Sequence, residues 1–325
     1  MNYIVFDLEW NQASTKDKEV KGIMFEILEI GAVKLGEDFE ILDTFSSLVK
    51  PQVYKTMHSM TQKLLHFDLK AMQSERPFPY VMNDFLTWCG DDPMFCTWGP
   101  SDLTELQRNM QYYGMKQIST GPLKYYDVQK LFSLGCEDGK SRRSLEYAVD
   151  FLKIKPDEQF HSAIGDARYT AEIFRMIRDE EILPYHSYDN FHLPQNREEE
   201  IHVSFPTYSK YISRSFKNKN VAIKNKDVYH VRCSICNEPT SRVVKWFTPN
   251  GGKFYLAVVR CSVHGYLKVK ARIKKLDEDR VYVVRTVKPI DKEMVLSIRT
   301  RYEKAKESAE KYAHYQKSKS SNSDL

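Results

Sequence analysis

Several common features are missing from this sequence of 325 residues. No apolar run approaches the roughly 18 residues that cross a bilayer, and no charged n-region with an apolar h-region marks a signal peptide. Six cysteines are too few for a disulfide scaffold in a chain of this length. These absences argue against a membrane protein and a small disulfide-stapled domain, and they predict a location in the reducing cytoplasm.

The composition describes a chain with room for a core and with unevenly placed charge. The length allows two domains or one large one, and 42% hydrophobic residues suffice for a core. Residues 1–182 carry 21 Lys and Arg against 29 Asp and Glu, whereas residues 183–325 carry 28 against 15. An acidic half that collects cations and a basic half that binds phosphates would explain this, and so would uneven solubilising charge.

The first part of the chain has the pattern of an α/β domain. Strand patterns come first, in YIVFDLEW, FEILEIGAVKL and FEILDTFSSLVKP, with a turn at residues 36–38. Short strands then alternate with helical spacing up to AIGDARYTAEIFRMI. This order predicts a mixed sheet flanked by helices over residues 1–182.

The remainder has a different organisation. Residues 183–229 lack a sustained period, which predicts a connecting segment. Residues 230–290 have the pattern of short strands, with a hairpin signal at residues 250–252. Residues 291–325 predict an amphipathic helix, with an apolar stripe from Met294 to Tyr312, and a disordered tail at SKSSNSDL.

Two carboxylates interrupt the first predicted strand. Side chains alternate across a strand, so Asp7 and Glu9 project from one face while Phe6, Leu8 and Trp10 project from the other. Two unpaired carboxylates this close repel each other, and burial without a partner is costly. A divalent cation with a preference for hard oxygen ligands, Mg²⁺ or Mn²⁺, would stabilise such a pair.

Further acidic residues occur in contexts that suit the same site. Asp102 follows a short buried strand and opens a helix at the edge of the predicted sheet. Asp166 lies in the first turns of another helix, five residues after His161. Taken alone, helix capping or a solvated face explains these residues best. Their occurrence in one domain with the strand pair favours a shared cation site.

Together the segments FDLE, WGPSDL and HSAIGDA resemble the three exonuclease motifs of the DEDDh branch of the DnaQ-like 3′–5′ exonucleases. The resemblance covers about residues 1–180 and implies an RNase H-like fold. The FDLEWNQ segment is most similar to exoribonuclease-type members, including histone-mRNA-trimming exonucleases and KapD-like proteins. Many relatives have Thr after the Glu, where this chain has Trp10.

The resemblance also implies a two-metal mechanism that releases 5′-nucleoside monophosphates from 3′ ends. Two Mg²⁺ or Mn²⁺ ions would stabilise the attacking and leaving oxygens. Their ligands would be Asp7, Glu9, Asp102 and Asp166. His161 would accept the proton of the attacking water, since imidazole titrates near neutral pH.

Substrate contacts are implied in the same way. Leu8 and Trp10 are expected to contact the substrate beside the strand carboxylates. The segment HSMTQKLL resembles the family segment between the first two motifs, which places Met60 and Thr61 near the terminal base and ribose. A buried Met and a helix-capping Thr explain these two residues equally well.

The basic half contains two short segments of the same kind, VRCSICNEP and VRCSVHGYL. Their Cys-x₂-Cys and Cys-x₂-His spacings offer four ligands for one structural Zn²⁺, namely Cys233, Cys236, Cys261 and His264. Asn237 and Gly265 follow the second ligand of each segment, where a tight turn favours positive φ. We therefore predict a zinc-ribbon-like domain over residues 230–290, while Cys89, Cys96 and Cys136 are expected to be packed residues without a metal.

The segment YLKVKARIKK predicts a strand with one basic face. Its apolar residues alternate with four cations, Lys268, Lys270, Arg272 and Lys274, which we call the basic ridge. Two strand residues span about 6.6–6.8 Å, which resembles the phosphate spacing of a single strand. Exposed Lys also blocks edge pairing of strands, so this second explanation stays open.

Three functions follow from these patterns. The leading prediction is a metal-dependent 3′–5′ exonuclease that acts on single-stranded 3′ ends, with RNA favoured over DNA only by the resemblance. The second is a DNA-trimming or proofreading exonuclease. The third is a zinc-ribbon scaffold that binds nucleic acid or the ribosome and carries a vestigial exonuclease fold, against which the intact set of four acids and one His argues.

Overall fold

A computed structural model of the chain describes residues 1–64, 67–249, 252 and 254–321. The chain divides into two compact units, Met1–His192 and Leu193–Leu325. Within the described part of the chain, no helix combines the length and apolar character required to cross a membrane.

The first unit is built around a mixed sheet. Its strands are β1 (Asn2–Gln12), β2 (Phe25–Leu35), β3 (Ile41–Leu48), β4 (Pro93–Thr97), β5 (Leu123–Asp127) and β6 (Ser187–Asp189). Its α-helices are α1 (Ser59–Leu64), α2 (Phe78–Cys89), α3 (Ser101–Tyr112), α4 (Val128–Cys136), α5 (Leu145–Phe151) and α6 (Ala163–Ile177). The sheet order is β3-β2-β1-β4-β5-β6, with β4 parallel to both β1 and β5 and the other pairs antiparallel. The predicted RNase H-like α/β class is confirmed.

One face of this sheet packs against α2 and α3. Phe6 and Leu8 of β1 are buried there together with Phe85 and Leu103. The rings of Phe6 and Phe85 lie 5.9 Å apart. The alternation predicted for β1 is therefore present, and the apolar half of its pattern forms the core.

The opposite face of the sheet packs against α6. The Tyr3 ring stacks on Phe39 at 4.6 Å and meets the edge of Phe174 at 5.5 Å. Alternation places Asp7 and Glu9 on this same face, further along β1. The strand carboxylates thus point toward the layer that contains α6.

The second unit is built around an antiparallel sheet. Its strands are β7 (Ile201–Phe205), β8 (Tyr208–Ile212), β9 (Ser241–Phe247), β10 (Tyr255–Cys261), β11 (Gly265–Lys275) and β12 (Val281–Pro289). Its helices are α7 (Lys219–Lys224), α8 (Lys226–Tyr229) and α9 (Lys292–Ser321). The sheet order is β7-β8-β12-β11-β10-β9, and each neighbouring pair is antiparallel.

The structure of the second unit differs from two predictions made from the sequence. The prediction of a mere connection at residues 183–229 is wrong for β7 and β8, because β8 pairs with β12 and extends the sheet beyond a zinc ribbon of residues 230–290. The predicted disordered tail is wrong for residues 318–321, which continue α9; residues 322–325 lie outside the described residues. The hairpin signal at residues 250–252 also falls mostly outside them.

The apolar stripe predicted for α9 is shorter than expected. Ile298, Tyr302 and Ala305 pack on the sheet, and Val295 joins them. The Tyr302 ring meets Phe247 at 5.4 Å. Both ends of the predicted stripe are exposed, at Met294 and Tyr312, so the packed face covers about the first half of the helix.

Candidate functional site

The strand carboxylates meet a third carboxylate from α6. Ligand oxygens of Asp7, Glu9 and Asp166 lie within 4.8 Å of one another, and each side chain is partly buried. The pairing of β1 with β2 shifts register directly after Glu9, so an irregularity of the ladder lies at the site, and the strand continues to Gln12. The structure therefore brings together the strand pair and the helix residue that the sequence analysis assigned to one cation site.

Asp102 lies beside these residues but outside that group of close ligand oxygens. It begins α3 and is 5% exposed. Burial raises the pKa of Asp102, while its own main-chain N–H and that of Leu8 lower it. After burial, the charge of Asp102 is the largest factor that raises the pKa of Asp7. Asp102 is thus electrostatically part of the site.

The carboxylates destabilise one another when no cation is bound. Burial, together with the charges of Asp102, Glu9 and Asp166, holds the pKa of Asp7 well above its usual range. Burial likewise raises the pKa of Glu9 to about 8, of Asp102 to about 7 and of Asp166 to about 6. Asp166 Oδ1 is buried and has no hydrogen-bond partner among the residues that the structure describes. A divalent cation would offset the repulsion and coordinate this oxygen, so the residues fit the predicted metals.

His161 lies at the entrance to α6. Its φ is 63°. Burial raises the pKa of Asp166, whereas the charge of His161 and, to a lesser extent, its main-chain N–H lower it. The imidazole is 42% exposed, and its Nε2 lies 3.9 Å from Glu146 Oε1. The side chain is therefore accessible to water and lies beside the carboxylate cluster.

A further carboxylate, Glu29, was not indicated by the sequence analysis. It lies on β2 directly opposite Glu9, and its Oε2 accepts from the Ala163 main-chain N–H at 3.1 Å. Its charge raises the pKa values of Asp7 and Asp166. Glu29 thus fixes the first turn of α6 and adds negative charge to the site.

Two glycines allow α6 to approach this closely. A Cβ atom at Gly31 of β2 would lie 2.1 Å from the main-chain N of Ile164. A Cβ atom at Gly165 would lie 2.4 Å from the main-chain O of Gln159. A side chain at Gly31 would push α6 away from the sheet, and one at Gly165 would push away the segment that precedes α6, because such distances are far inside van der Waals contact.

The predicted substrate-binding residues of the first unit differ in how far they are exposed to solvent. Leu8 is buried in the core, and Trp10 is partly buried against Phe25 at 5.3 Å. Met60 is 57% exposed, whereas Thr61 is 8% exposed. Met60 is therefore the one of these four that presents most of its side chain to solvent.

Asn11 supports the segment that carries Met60 and was not indicated by the sequence. It is fully buried, and its Nδ2 donates to the Thr56 main-chain O at 3.0 Å. Its Oδ1 accepts from the His58 main-chain N at 2.9 Å. The amide therefore fastens the 56–60 segment to the end of β1.

The second unit gathers its four soft ligands as predicted. Cys233, Cys236, Cys261 and His264 offer ligand atoms within 4.8 Å of one another. Sγ of Cys236 and of Cys261 are 3.7 Å apart, and Cys233 Sγ is 3.7 Å from His264 Nδ1. A tetrahedron with ~2.3 Å Zn–S bonds has edges of about 3.8 Å, so the four atoms fit a zinc ion.

The turns around this cluster have the predicted conformations. Asn237 has φ 57° and Gly265 has φ 72°. The Cys236 turn is closed by the Asn237 N–H, which donates to the Cys233 carbonyl at 3.1 Å. The other cysteines are apart from this cluster, with Cys89 and Cys96 buried and Cys136 half-buried.

The basic ridge alternates as predicted but is unevenly accessible. Arg272 and Lys274 are exposed, whereas Lys270 is partly buried, with its Nζ 4.4 Å from the centre of the Phe254 ring. Burial and the neighbouring charge of Arg272 lower the pKa of Lys270. The exposed cations are thus at the far end of β11.

Comparison with known proteins places the first unit in a family. A family model described as RNase_T, exonuclease, matches residues 4–174. The chain belongs to the RNase_T exonuclease family. The match spans the four acidic residues and His161, and it confirms the predicted relationship to DnaQ-like exonucleases. Among curated proteins, no match to this chain was found.

Several solved structures resemble this chain at low identity. The nuclease domain of 3′hExo, described as a DEDDh family member bound to rAMP, is 18% identical over 54% of this chain and 90% of that chain, with a TM-score of 0.46. Cell-death related nuclease 4 is 15% identical over 54% and 63%, with a TM-score of 0.45. E. coli Exonuclease I, solved with a 5cy-dT13 oligonucleotide, is 11% identical over 54% and 40%, with a TM-score of 0.41.

Proposed function

We propose that this protein is a metal-dependent 3′–5′ exonuclease that removes 5′-nucleoside monophosphates from single-stranded ends, with RNA as the preferred substrate. The observation that carries the proposal is the cluster of Asp7, Glu9 and Asp166 with Asp102 beside it, in a chain of an exonuclease family. Such a cluster is unfavourable without a cation and suited to binding one or two.

The roles of the residues follow from their positions. Asp7, Glu9, Asp102 and Asp166 would hold two Mg²⁺ or Mn²⁺ ions, which supply charge stabilisation for the attacking and leaving oxygens. His161 is exposed to water and adjacent to Asp166, so its imidazole would accept the proton of the attacking water.

Glu146 supports this proton transfer. Its Oε1 lies 3.9 Å from His161 Nε2, where a negative charge favours the imidazolium formed when the proton is accepted. The pair is about half exposed, so the stabilisation is modest. Glu29 instead has a positioning role, because its carboxylate accepts a hydrogen bond from the Ala163 N–H and so fixes the first turn of α6, which carries Asp166.

The second unit would hold one structural Zn²⁺ between its two ligand turns. Each turn contributes two ligand atoms, and the separations of 3.7 Å are longer than a disulfide and match a zinc tetrahedron. The cluster lies in a core with Val231, Ala257 and Leu267, so zinc would stabilise this part of the second unit.

The test is cleavage of 3′-labelled RNA and DNA of one sequence by the purified full chain. We expect Mg²⁺- or Mn²⁺-dependent release of labelled mononucleotides, faster on RNA. Equal or faster cleavage of DNA would move the proposal to a DNA exonuclease. Release of 3′-phosphates, cleavage from the 5′ end, or no cleavage with either metal would contradict the exonuclease proposal itself.

A further inference from the structure

The second unit contains a cleft of about 790 Å³ that none of the roles above uses. It lies between the sheet face that carries Tyr211 and Arg285 and the segment of residues 226–240. The residues that line it all belong to the second unit, and the basic ridge is not among them.

Arg285 is the unusual residue of this cleft, because its cation is 6% exposed. Its Nη1 donates to the main-chain oxygens of Asp227, Val228 and His230 at 2.8, 2.7 and 3.1 Å. Its Nε is buried and has no hydrogen-bond partner within the described residues. Its Cζ lies 4.7 Å from the centre of the Tyr211 ring. The guanidinium is held firmly, yet one of its donors is unused.

The carboxylates that act on Arg285 are engaged elsewhere. Asp227 forms an ion pair with Arg197 at 2.7 Å, and Glu200 forms one with Arg214 at 2.6 Å. Burial lowers the pKa of Arg285 to about 10, so it remains charged at neutral pH. A buried cation whose neighbouring acids are already paired leaves a positive potential in the cleft, which favours an anionic ligand.

Exposed cations and aromatic rings line the rest of the cleft. Lys226, Arg232 and Arg242 are exposed lining residues. The Arg242 guanidinium lies 4.3 Å from the centre of the Tyr229 ring, and its plane offers a surface for stacking. Aromatic and guanidinium planes stack on nucleobases, while cations beside them neutralise phosphates.

We propose that this cleft binds a segment of single-stranded nucleic acid, with phosphates at Lys226, Arg232 and Arg242 and a base stacked at the Arg242–Tyr229 pair. Arg285 supplies a fixed positive charge behind them. The cleft gives the protein a second nucleic-acid site, separate from the carboxylate cluster, and the inference depends on no step of the exonuclease chemistry.

The test measures binding without cleavage, in the full chain carrying Asp7→Asn. The equilibrium Kd for a fluorescent single-stranded RNA is determined at several salt concentrations, with and without Lys226→Gln plus Arg242→Gln. Loss of two phosphate contacts should flatten the slope of log K against log salt by about 1.4 and raise Kd ~10- to 30-fold near 0.1 M salt.

Two matched variants separate the cleft from general charge. Lys217→Gln plus Lys245→Gln removes two exposed cations of the same unit that do not line the cleft, and it should change Kd less than about twofold. Arg242→Lys keeps the charge but loses the guanidinium plane. It should keep the salt slope and weaken binding about fivefold or more, as expected when stacking is lost.

Three outcomes would overturn the inference. Equal Kd and salt slope in the cleft variant and the Lys217–Lys245 variant would show that the cleft binds no strand. A polyglutamate peptide that binds as tightly as RNA and is lost with the same variant would make the cleft a general anion site. Equally tight binding of free 5′-AMP would make it a mononucleotide site. Cleavage of a dinucleotide by the chain with Asp7 intact reports separately on the proposed exonuclease.

Discussion

The two clusters of this protein that could hold metal ions are built in opposite ways. The carboxylates come from β1, α3 and α6, raise one another's pKa values, and are held together by the packing of the first unit. The Cys/His cluster comes from two short turns, and hydrogen bonds from the main-chain N–H groups of His264 and Val263 lower the pKa of Cys261 to about 6.

Because of this difference, the relation between fold and bound metal should be opposite in the two units. In the first, the fold holds charged groups in an unfavourable arrangement that a cation relieves, so fold stability supports the chemistry. In the second, main-chain donors favour a thiolate at Cys261, and a zinc ion bound in this buried core would support the fold. Removal of a ligand should therefore abolish activity in one unit and structure in the other.

The largest expected effect is on catalysis by the first unit. Asp7→Asn should reduce single-turnover cleavage by ~10³-fold or more, because it removes a ligand and the charge that holds the cation. The melting temperature of the metal-free protein should stay equal or rise, since repulsion is relieved. Asp91→Asn, an exposed acid outside the cluster, is the control and should cleave normally. Near-normal cleavage by Asp7→Asn would remove this residue from the site.

His161→Ala sharpens the comparison within the first unit. It should lower the chemical step by about 10²–10⁴-fold, the range for loss of a general base, and leave Mn²⁺ affinity unchanged. Glu146→Gln should cost less than about tenfold, because that exposed pair is weak. A parallel loss of Mn²⁺ affinity, measured by calorimetry, would instead make His161 a metal ligand.

Removal of zinc ligands from the second unit should lower the stability of that unit. Cys233→Ser plus Cys261→Ser should lose zinc, measured by elemental analysis, and should unfold the core around the cluster, measured by proteolysis of residues 230–290. Cleavage of a short oligonucleotide by the first unit should persist. Cys136→Ser, outside the cluster, should keep one zinc per chain; one zinc retained in the double variant would disprove the site.

The smallest effect is the pH dependence that the carboxylate cluster gives to the first unit. Folded-state pKa values of about 8 for Glu9, 7 for Asp102 and 6 for Asp166 lie above their ordinary values near 4. At these groups the folded state then binds more protons than the unfolded state, so their contribution to stability is full below about pH 4 and is lost as pH rises through 6 to 8.

Protein dialysed free of Mg²⁺ and Mn²⁺ should accordingly melt lower at pH 8 than at pH 5, by roughly 2–4 °C per kcal/mol of unfolding free energy lost. Added Mn²⁺ should restore most of the difference, and Asp7→Asn should reduce it. A melting temperature that rises from pH 5 to pH 8 would show that the carboxylates are not coupled in this way.

Local periodicity accounts for what the sequence predicts well. The period of two in β1 is a property of the backbone, so the common face of Asp7 and Glu9 follows from spacing alone. The Cys-x₂-Cys and Cys-x₂-His turns are equally local. Glu29 was not predicted because FEILEIGAV has the pattern of a buried strand, and only pairing places Glu29 opposite Glu9.

Long-range pairing explains the other differences. Strands β7 and β8 contain Ser, His and Lys without an apolar run, and they are strands because β12, about 70 residues later, pairs with β8. The cleft around Arg285 likewise joins segments that are far apart in sequence. No local pattern could indicate that the carbonyls of residues 227–230 would hold this guanidinium.

Because residue 31 has no side chain, α6 packs directly on the backbone of β2, and this contact sets the distance between the sheet and the helix. The strand carboxylates and Asp166 belong to different layers, and what fixes their separation is the lack of a methyl group 2.1 Å from the Ile164 nitrogen. A single methyl group at position 31 would therefore be enough to disrupt the site. It would move α6 away from the sheet and separate Asp166 from Asp7 and Glu9, although all of these carboxylates would still be present. Grafting these carboxylates onto another scaffold would first require the same close contact between sheet and helix.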